Sequence, residues 1–237
     1  MARKRGRIRF AEDGEQLELL VDDIAYSSFH PDRPWSGYVW DALAASILLV
    51  RSERPKVLVL GAGGGTALRL MHRLRPEAQL TAIEIDPRML KAARRRFGLD
   101  EVGAELIEGD GLEFLARSRR RFDLILDDMF GPSDDGLVRP VDDEEAHLRR
   151  IASRLREGGI AATNSTTDDD PPGLLDAVSG AHRTVFPHRV AIEPPLGLNV
   201  VIAGSATPLH RDGLRRRRGV DSPMDLDALG RVKMRRA

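Results

Sequence analysis

Residues 56–65 read KVLVLGAGGG, and the six residues that follow, TALRLM, read as the start of a helix. A continuous apolar run of this kind is typical of a strand that is buried on both faces of a parallel sheet. The four glycines allow a tight turn and let backbone N–H groups approach a ligand closely. Because a helix N-terminus favours negative charge, the stretch predicts a strand–turn–helix unit that binds a nucleotide-like ligand.

The spacing of the glycines narrows the choice of ligand. A dinucleotide fingerprint, GxGxxG, would place glycine or alanine where Thr66 stands. The spacing Gly61-x-Gly63-x-Gly65 is instead typical of enzymes that bind S-adenosylmethionine (SAM). A tight strand–helix connection without a ligand explains the glycines equally well, so other residues must decide.

Composition sets the broad class of the protein. A chain of 237 residues with 41% apolar and 31% charged residues suits one sizeable globular domain with short additions at its ends. The absence of cysteine excludes disulfides, thiolate metal sites and cysteine nucleophiles, and the six scattered histidines predict no metal site. The longest apolar stretch, roughly residues 42–50, is too short to span a membrane, so we expect a cytoplasmic protein without membrane contact.

Charge and punctuation predict three segments. Residues 1–35 form a basic N-terminus with a small β-hairpin, and residues 36–209 form the main domain. Residues 210–237 form a basic, flexible C-terminal tail with little to bury. Both termini are basic although the net charge of the chain is zero. Solvated ends are the favoured explanation, and contact with nucleic acid is the less favoured alternative.

The rest of the chain alternates between strand and helix patterns. Further strands are predicted at residues 80–85, 105–107, 122–127, 160–163, 184–192 and 198–203. Helices are predicted at residues 36–50, 87–97, 142–156 (with Asp142 and Glu145 as a capping box) and 174–178. The last two strands have no room for a crossover helix between them, so they should be antiparallel. The order predicts an α/β fold with a doubly wound, mostly parallel seven-stranded sheet and an antiparallel last strand, the class I SAM-methyltransferase architecture.

Acidic residues follow three of the predicted strands. Glu84 ends the second strand and can accept hydrogen bonds from ribose hydroxyls, whereas Asp86 is better placed to cap the next helix. Asp110, followed by Gly111, can accept a hydrogen bond from an adenine amino group, although an ordinary turn explains it as well. The pair at residues 127–128 ends the fourth strand, beside the glycine turn, where open α/β sheets bind ligands.

These motifs together resemble the polyamine aminopropyltransferases, or spermidine synthase-like proteins, over residues 8–204. The resemblance lies in VLVLGAGGG, IEID, GDGLEFL and FDLILDD, and in the stretch from LREGGI to Asn164. It implies a pocket for an adenosyl thioether. Gly61 to Gly65 would lie under the methionine part, Glu84 at the ribose and Asp110 at the adenine.

The family's acceptor-binding motifs are only partly present. An Asp-x-x-Asp-Pro motif, whose carboxylates hold and deprotonate the attacking amine, corresponds to residues 128–132, with Gly131 in place of the second acid. A Tyr-His-Glu motif corresponds to residues 38–40, where only the tyrosine matches. The resemblance therefore implies Asp128 as the catalytic residue and Tyr38 as a substrate-binding residue. Other acids near the motif could replace the second one: Asp127, Asp134 and Asp135.

The sequence thus predicts an enzyme that transfers a group from SAM, or from decarboxylated SAM, to a small-molecule acceptor without a metal. Methyl transfer to an unidentified acceptor is favoured, because two polar anchors for a polycationic amine are missing. Aminopropyl transfer, as in polyamine synthesis, is the first alternative. A non-catalytic protein that binds an adenosyl ligand or nucleic acid is the second. Homodimer formation stays open.

Overall fold

The computed structural model describes residues 6–133, 136–167, 171–215 and 220–237. The chain begins with a three-stranded antiparallel sheet: β1 (Ile8–Asp13), β2 (Gln16–Val21) and β3 (Ile24–Phe29). The sequence predicted a hairpin here, and the third strand is an addition to it. Asp22 and Asp23 join β2 to β3 with φ angles of 46° and 68°, a conformation of hairpin turns that is more usual with Asn-Gly.

The main domain alternates strands and helices. Its first half contains α1 (Val39–Ala45), β4 (Lys56–Leu60), α2 (Thr66–Leu74), β5 (Gln79–Glu84), α3 (Pro87–Arg96), β6 (Glu105–Glu108), α4 (Gly111–Arg117) and β7 (Phe122–Asp127). The second half contains the hairpin β8 (Gly131–Ser133) and β9 (Gly136–Val138), then α5 (Glu144–Ser153), β10 (Leu155–Thr166), α6 (Leu174–Val185), β11 (His188–Glu193) and β12 (Asn199–Ser205). Residues 211–235 add α7 (Arg211–Arg215), α8 (Pro223–Arg231) and β13 (Lys233–Arg235).

The described strands of the main sheet have the order β13-β11-β12-β10-β7-β4-β5-β6. The strands from β10 to β6 run parallel, and β12 runs antiparallel to both β10 and β11. This confirms the predicted fold class, with one strand more than the seven predicted. The chain leaves β4 toward β5 and β6 and returns on the other side of β4 as β7. The carboxyl ends of β4 and β7 lie side by side at this reversal, with Leu60 paired to Asp127.

The segment that was predicted to be a flexible tail is packed against the domain wherever the structure describes it. Leu214, Val220 and Leu229 are buried in the main apolar core, and β13 pairs with β11 at the edge of the sheet. The Trp35 indole N–H also donates a hydrogen bond of 2.7 Å to Asp225. The prediction is therefore wrong for these residues, while residues 216–219 of the arginine run lie outside the described residues. The prediction failed because the segment is highly charged and contains few apolar residues, although some of those few are buried.

Several helix boundaries also differ from the prediction. The chain at residues 36–38 turns around the buried Asp41 carboxylate, which accepts from the Ser36 and Gly37 amides, so α1 begins only at Val39. Asp143, not Asp142, caps α5, because its carboxylate accepts from the Ala146 amide at 2.9 Å. Helix α6 continues to Val185 instead of ending near residue 178, so β11 begins at residue 188.

Apolar side chains cover both faces of the sheet. One core joins α1, α2 and the C-terminal elements to the sheet, and a second lies between the sheet and α4, α5 and α6. The N-terminal sheet packs its own apolar face against α3. Within the described ranges, no helix is both long and apolar enough to cross a membrane.

Candidate active site

A cavity of about 470 Å³ lies at the carboxyl ends of β4, β5 and β7, beneath β3 and the start of α1. Five predicted site residues line it: Gly61, Gly63, Glu84, Asp128 and Tyr38. The structure therefore brings the proposed cofactor-binding, catalytic and substrate-binding residues to one place. Gly65, Asp110 and Gly111 are absent from the described lining of the cavity.

The glycine turn packs closely against the backbone of two other segments, at Asp128 and at Tyr26. Gly61 has a φ of 85°, and a Cβ atom there would collide with the carbonyl oxygen of Asp128. Gly63 has a φ of 52°, and its Cβ would lie 2.9 Å from the Tyr26 carbonyl oxygen. Glycine is thus required at both positions, because the turn is pressed between the end of β7 and strand β3. Gly65 serves packing in the same way, since its Cβ would overlap the Leu99 side chain.

Glu84 is 9% exposed and accepts two backbone hydrogen bonds. The Gly63 amide donates to its Oε2 and the Asp86 amide to its Oε1, both at 2.9 Å. Burial raises the pKa of this carboxyl, and the two amide hydrogen bonds oppose the rise. A carboxylate oxygen has capacity for a further hydrogen bond, so Glu84 can accept from a hydroxyl in the cavity. Asp86 caps α3, as the sequence predicted, by accepting from the Arg88 amide.

Asp110 and Gly111 have local roles beside the cavity. The Asp110 carboxylate caps α4 and accepts from the Leu112 amide at 2.8 Å and the Glu113 amide at 3.4 Å. Gly111 is buried, and a Cβ there would lie 2.7 Å from the Met129 sulfur atom. Both residues are therefore explained by helix capping and close packing, and an adenine contact by Asp110 stays a prediction.

Asp127 and Asp128 are adjacent in sequence, but only Asp128 lines the cavity. Asp127 is 1% exposed, forms a bidentate ion pair with Arg139, and contacts the His147 Nε2 atom at 2.8 Å. Arg139 also pairs with Glu144 on α5. Burial alone would raise the pKa of Asp127, but the Arg139 charge and the His147 hydrogen bond hold it well below its ordinary value.

Asp127 therefore cannot serve as the missing second acid of the acceptor motif, because its charge is already matched inside the protein. The other two candidates, Asp134 and Asp135, lie outside the described residues. Gly131 itself leaves open space, since a Cβ there would meet nothing within 4 Å.

Asp128 lines the cavity, and its described hydrogen-bond partner is a neutral side chain. Its Oδ1 accepts a 2.7 Å hydrogen bond from the Asn164 side chain, and the Asn199 amide donates in turn to Asn164 at 3.2 Å. Burial raises the pKa of Asp128 to about 7, although the Asn164 hydrogen bond lowers it; the charges of Asp127 and Glu84 add to the rise. The carboxyl group can therefore take up or release a proton near neutral pH.

Comparison with known proteins supports the assignment of the fold. Residues 57–159 match the methyltransferase domain family. The polyamine aminopropyltransferase of Neisseria meningitidis serogroup B is 31% identical over 170 residues, which cover 68% of this chain and 62% of that protein. The human eEF1A lysine and N-terminal methyltransferase is 30% identical over 164 residues, covering 62% of this chain and 23% of that protein.

Solved structures agree with this. A probable spermidine synthase from Corynebacterium glutamicum superimposes with a TM-score of 0.71 at 17% identity, covering 84% of this chain and 77% of that one. The fold is spermidine synthase-like. Human methyltransferase-like protein 13, solved in complex with SAH, has a TM-score of 0.59 at 24% identity, covering 81% and 89%. The chain spans 55% to 62% of the length of the first aminopropyltransferases that it matches.

One side of the cavity is mostly apolar. Tyr38, Val39, Trp40, Phe130 and Leu137 line the cavity on the side of α1 and the β8–β9 hairpin. Three carboxylates also line it, from Glu18, Glu84 and Asp128, and the described lining contains no lysine, arginine or histidine. Among the residues that can be described, no group of three or more His, Cys, Asp or Glu side chains is arranged to hold a metal ion.

Sequence reasoning missed several residues that line the cavity or contact its acids. Glu18 and Tyr26 reach the cavity from the N-terminal sheet, and Asn199 reaches it from β12. Arg139, which pairs with Asp127, and His147, which contacts the same carboxylate, lie in segments without a recognisable motif. The one available signal was amide side chains in strands: Asn164 lies in the polar last part of β10, and Asn199 begins the mostly apolar β12.

Proposed function

We propose that this chain is a SAM-dependent transferase that moves a methyl group to an acceptor with an apolar body. The observation that carries the proposal is Asp128, a carboxyl group that titrates near neutral pH and faces an aromatic-lined cavity beside the glycine turn. Relatives named as methyltransferases and as aminopropyltransferases support transfer chemistry in general. Neighbouring structures solved with SAH and with the analogue AdoDATO support an adenosyl ligand.

The donor would lie across the end of β4. Glu84 would accept hydrogen bonds from the ribose hydroxyls, and the methionine part would lie over Gly61 and Gly63, where no side chain intervenes. In this arrangement the sulfonium would lie between Glu84 and Asp128. Asp110 is proposed near the adenine, although its carboxylate already caps α4.

The chain's own contribution to the reaction would be positioning and proton transfer. The sulfonium is already a good leaving group, so the methyl–sulfur bond breaks as the acceptor attacks in line, and its electron pair stays on sulfur. The acceptor's nucleophile would hydrogen-bond to Asp128, which removes its proton during or before the attack. Asn164 would hold the Asp128 carboxylate toward the cavity.

The acceptor is proposed to have an apolar body. Trp40 and Phe130 line the outer part of the cavity, and Gly131 offers no second carboxylate for a distant ammonium group. An ammonium group about 4 Å from a carboxylate gains about 4 kcal/mol at an intermediate dielectric, so the missing acid disfavours a diamine. Tyr38 is proposed to contact the acceptor, because it lies at the mouth of the cavity and is 48% exposed.

Aminopropyl transfer from decarboxylated SAM is a second candidate, and one observation favours it. The described lining holds three carboxylates and no cation, which suits a ligand without a carboxylate of its own. Decarboxylated SAM carries both a sulfonium and an ammonium charge and has no compensating anion.

The two candidates are separated by product analysis. The purified protein is incubated with a pool of small metabolites and either SAM or decarboxylated SAM, and products are identified by mass. We expect products that have gained a methyl group, and Asp128→Asn should lower the rate by about 10²- to 10⁴-fold. Asp123→Asn, at the opposite end of β7, is the matched control and should retain activity. Robust spermidine formation would establish the second candidate, and ligand binding without any transfer would favour a non-catalytic protein.

A further inference from the structure

The Tyr26 hydroxyl is an anomaly in the cavity wall. Its oxygen is buried, yet it has no hydrogen-bond partner within the described ranges. A buried polar group without a partner costs about 1–3 kcal/mol, so such groups are rare unless a ligand or water completes them. Tyr26 lines the cavity, which makes a ligand the natural partner.

Strand β3 holds Tyr26 against the glycine turn. Its carbonyl oxygen lies in contact with Gly63, and the next residue, Ser27, accepts a 2.6 Å hydrogen bond from the Gly64 amide. Tyr26 therefore lines the cavity next to the glycine turn, where the methionine portion of SAM is proposed to lie. Burial raises the pKa of Tyr26, as do the nearby charges of Glu84, Asp128 and Asp22, so the hydroxyl stays protonated and can donate.

Several other donors around the cavity are already engaged, and the Tyr38 hydroxyl and Trp40 indole belong to the α1 side, which is proposed for the acceptor. The Gly63 amide donates to Glu84, and the Gly64 amide donates to Ser27. The side-chain amides of Asn164 and Asn199 donate to Asp128 and to Asn164. The described lining supplies no positive charge either.

The groups of the donor can be matched to these partners one at a time. Ribose hydroxyls have Glu84, and the sulfonium and ammonium groups have a cavity with three carboxylates. The carboxylate of SAM still needs a partner. The described lining offers it no cation, and the Gly63 and Gly64 amides already donate to other groups. The Tyr26 hydroxyl is a donor without a described partner, and Tyr26 belongs to the lining of this cavity.

We propose that Tyr26 is a donor-binding residue whose hydroxyl hydrogen-bonds to the carboxylate of the methionine part of SAM. Tyr26 would thereby distinguish SAM from decarboxylated SAM. The proposal rests on the proposed methyl-transfer function and deepens it, because it names the group that selects the methyl donor.

The test measures the affinity of the full chain for SAM and for decarboxylated SAM, which differ only in the carboxylate, by calorimetry. Tyr26→Phe should weaken SAM binding by about 10- to 100-fold and leave decarboxylated SAM within about twofold, as expected for a hydrogen bond to a charged group. Thr184→Val is the control, because it removes an exposed hydroxyl on α6 that is not part of the described cavity lining, and it should leave both affinities within about twofold. The Tyr26→Phe variant should unfold at an unchanged or higher temperature, because it removes an unsatisfied hydroxyl.

Three outcomes would overturn the proposal. Equal weakening of both ligands would place Tyr26 at the adenosyl part, and unchanged SAM affinity would leave the hydroxyl without this role. Either result leaves the proposed function intact, because the wild-type protein still binds the donor. Failure of the wild-type protein to bind SAM would instead overturn the proposed function and this inference together.

Discussion

The two ends of the parallel sheet carry opposite charge. At the carboxyl ends of the strands, the cavity is lined by three carboxylates and, in its described part, by no cation. At the amino ends, a cleft of about 330 Å³ is lined by five cations: Lys56, Arg119, Arg120, Arg121 and Arg156. A net charge of zero for the whole chain therefore conceals a separation of charge along the strand direction.

The two ends also differ in how their charges are used. At the amino end, Arg120 pairs with Glu105 at 2.8 Å, and Arg156 lies 3.5 Å from Asp123. At the carboxyl end, the hydrogen-bond donors described for Glu84 and Asp128 are neutral: two backbone amides and the Asn164 side chain. Charges paired within the protein hold elements together, whereas acids that face a cavity with neutral partners are suited to a cationic ligand. The predictions below test this contrast.

The largest expected effect on stability comes from Arg139, which forms an ion pair with the buried Asp127 carboxylate. Arg139→Met leaves the Asp127 carboxylate buried without its cation and should lower the free energy of unfolding by about 3–5 kcal/mol. Arg149→Met is the matched control, because its pair with Glu145 is exposed and worth at most about 1 kcal/mol. Urea unfolding measures both. Equal losses in the two variants would show that the buried pair has no special weight.

The Arg139 effect should depend on pH. The folded-state pKa of Asp127 is depressed, so its contribution to stability is present above the ordinary aspartate pKa of about 4 and is lost as the pH falls further. The difference between wild type and Arg139→Met should therefore shrink on acidification below pH 4. A difference that stays constant there would contradict the assigned ion pair.

The next largest effect concerns Glu84. Glu84→Ala removes the proposed acceptor of the ribose hydroxyls and should weaken binding of S-adenosylhomocysteine by about 1.5–3 kcal/mol, or about 10- to 100-fold. Glu105→Ala, which removes an acid near the opposite end of the sheet, should leave affinity unchanged. Calorimetry on the two variants compares the ends directly, and unchanged affinity in Glu84→Ala would refute the ribose assignment.

A smaller effect is expected from the titration of Asp128. Its folded-state pKa of about 7 lies above the unfolded value of about 4, so the folded state retains a proton that the unfolded state releases. The contribution of Asp128 to stability is then fully present below pH 4 and is lost as the pH rises through 7. Between pH 5 and 8 this loss should be about 1–2 kcal/mol, less than full linkage because Asp128 is partly exposed. Asp128→Asn should flatten the dependence, and Asp123→Asn should not.

The smallest effect is expected at the basic cleft. Arg119 is exposed and has no carboxylate partner in the described part of the chain, so Arg119→Glu should change stability by less than about 0.5 kcal/mol. Five strand residues span about 16 Å, twice the Debye length of about 8 Å in physiological salt, so affinity for S-adenosylhomocysteine should change less than about twofold. A large loss of affinity would show that the two ends of the sheet are electrostatically coupled.

The sequence predicts the central sheet well, because buried parallel strands carry continuous apolar runs. The bounds of β4 and β7 are those that the sequence predicts, and the antiparallel pairing of β11 with β12 is confirmed. Features that depend on distant contacts are not predictable in this way. Asp225 accepts from Trp35 across 190 positions, and nothing local to either residue signals the contact.

The site shows the same division. The glycine turn, Glu84 and Asp128 follow from strand ends, whose position in a parallel sheet is fixed by topology. Only Asp128 lines the cavity, whereas Asp127 is buried against Arg139. This difference is expected at a strand end, because successive side chains point to opposite faces. Other residues around the two acids could not be predicted from the strand ends, because they lie in distant elements. Arg139 follows the β8–β9 hairpin, and Tyr26 belongs to the N-terminal sheet.

The contact between Trp35 and Asp225 has a consequence for biosynthesis. Trp35 lies just before Tyr38 and Trp40, which line the cavity, but its hydrogen-bond partner belongs to α8. Every strand that carries a proposed cofactor-binding residue leaves the ribosome before residues 223–235 are made. A nascent chain can therefore form the glycine turn and position Glu84 before Asp225 is available to accept the hydrogen bond from Trp35. Acceptor recognition would then mature later in synthesis than donor recognition.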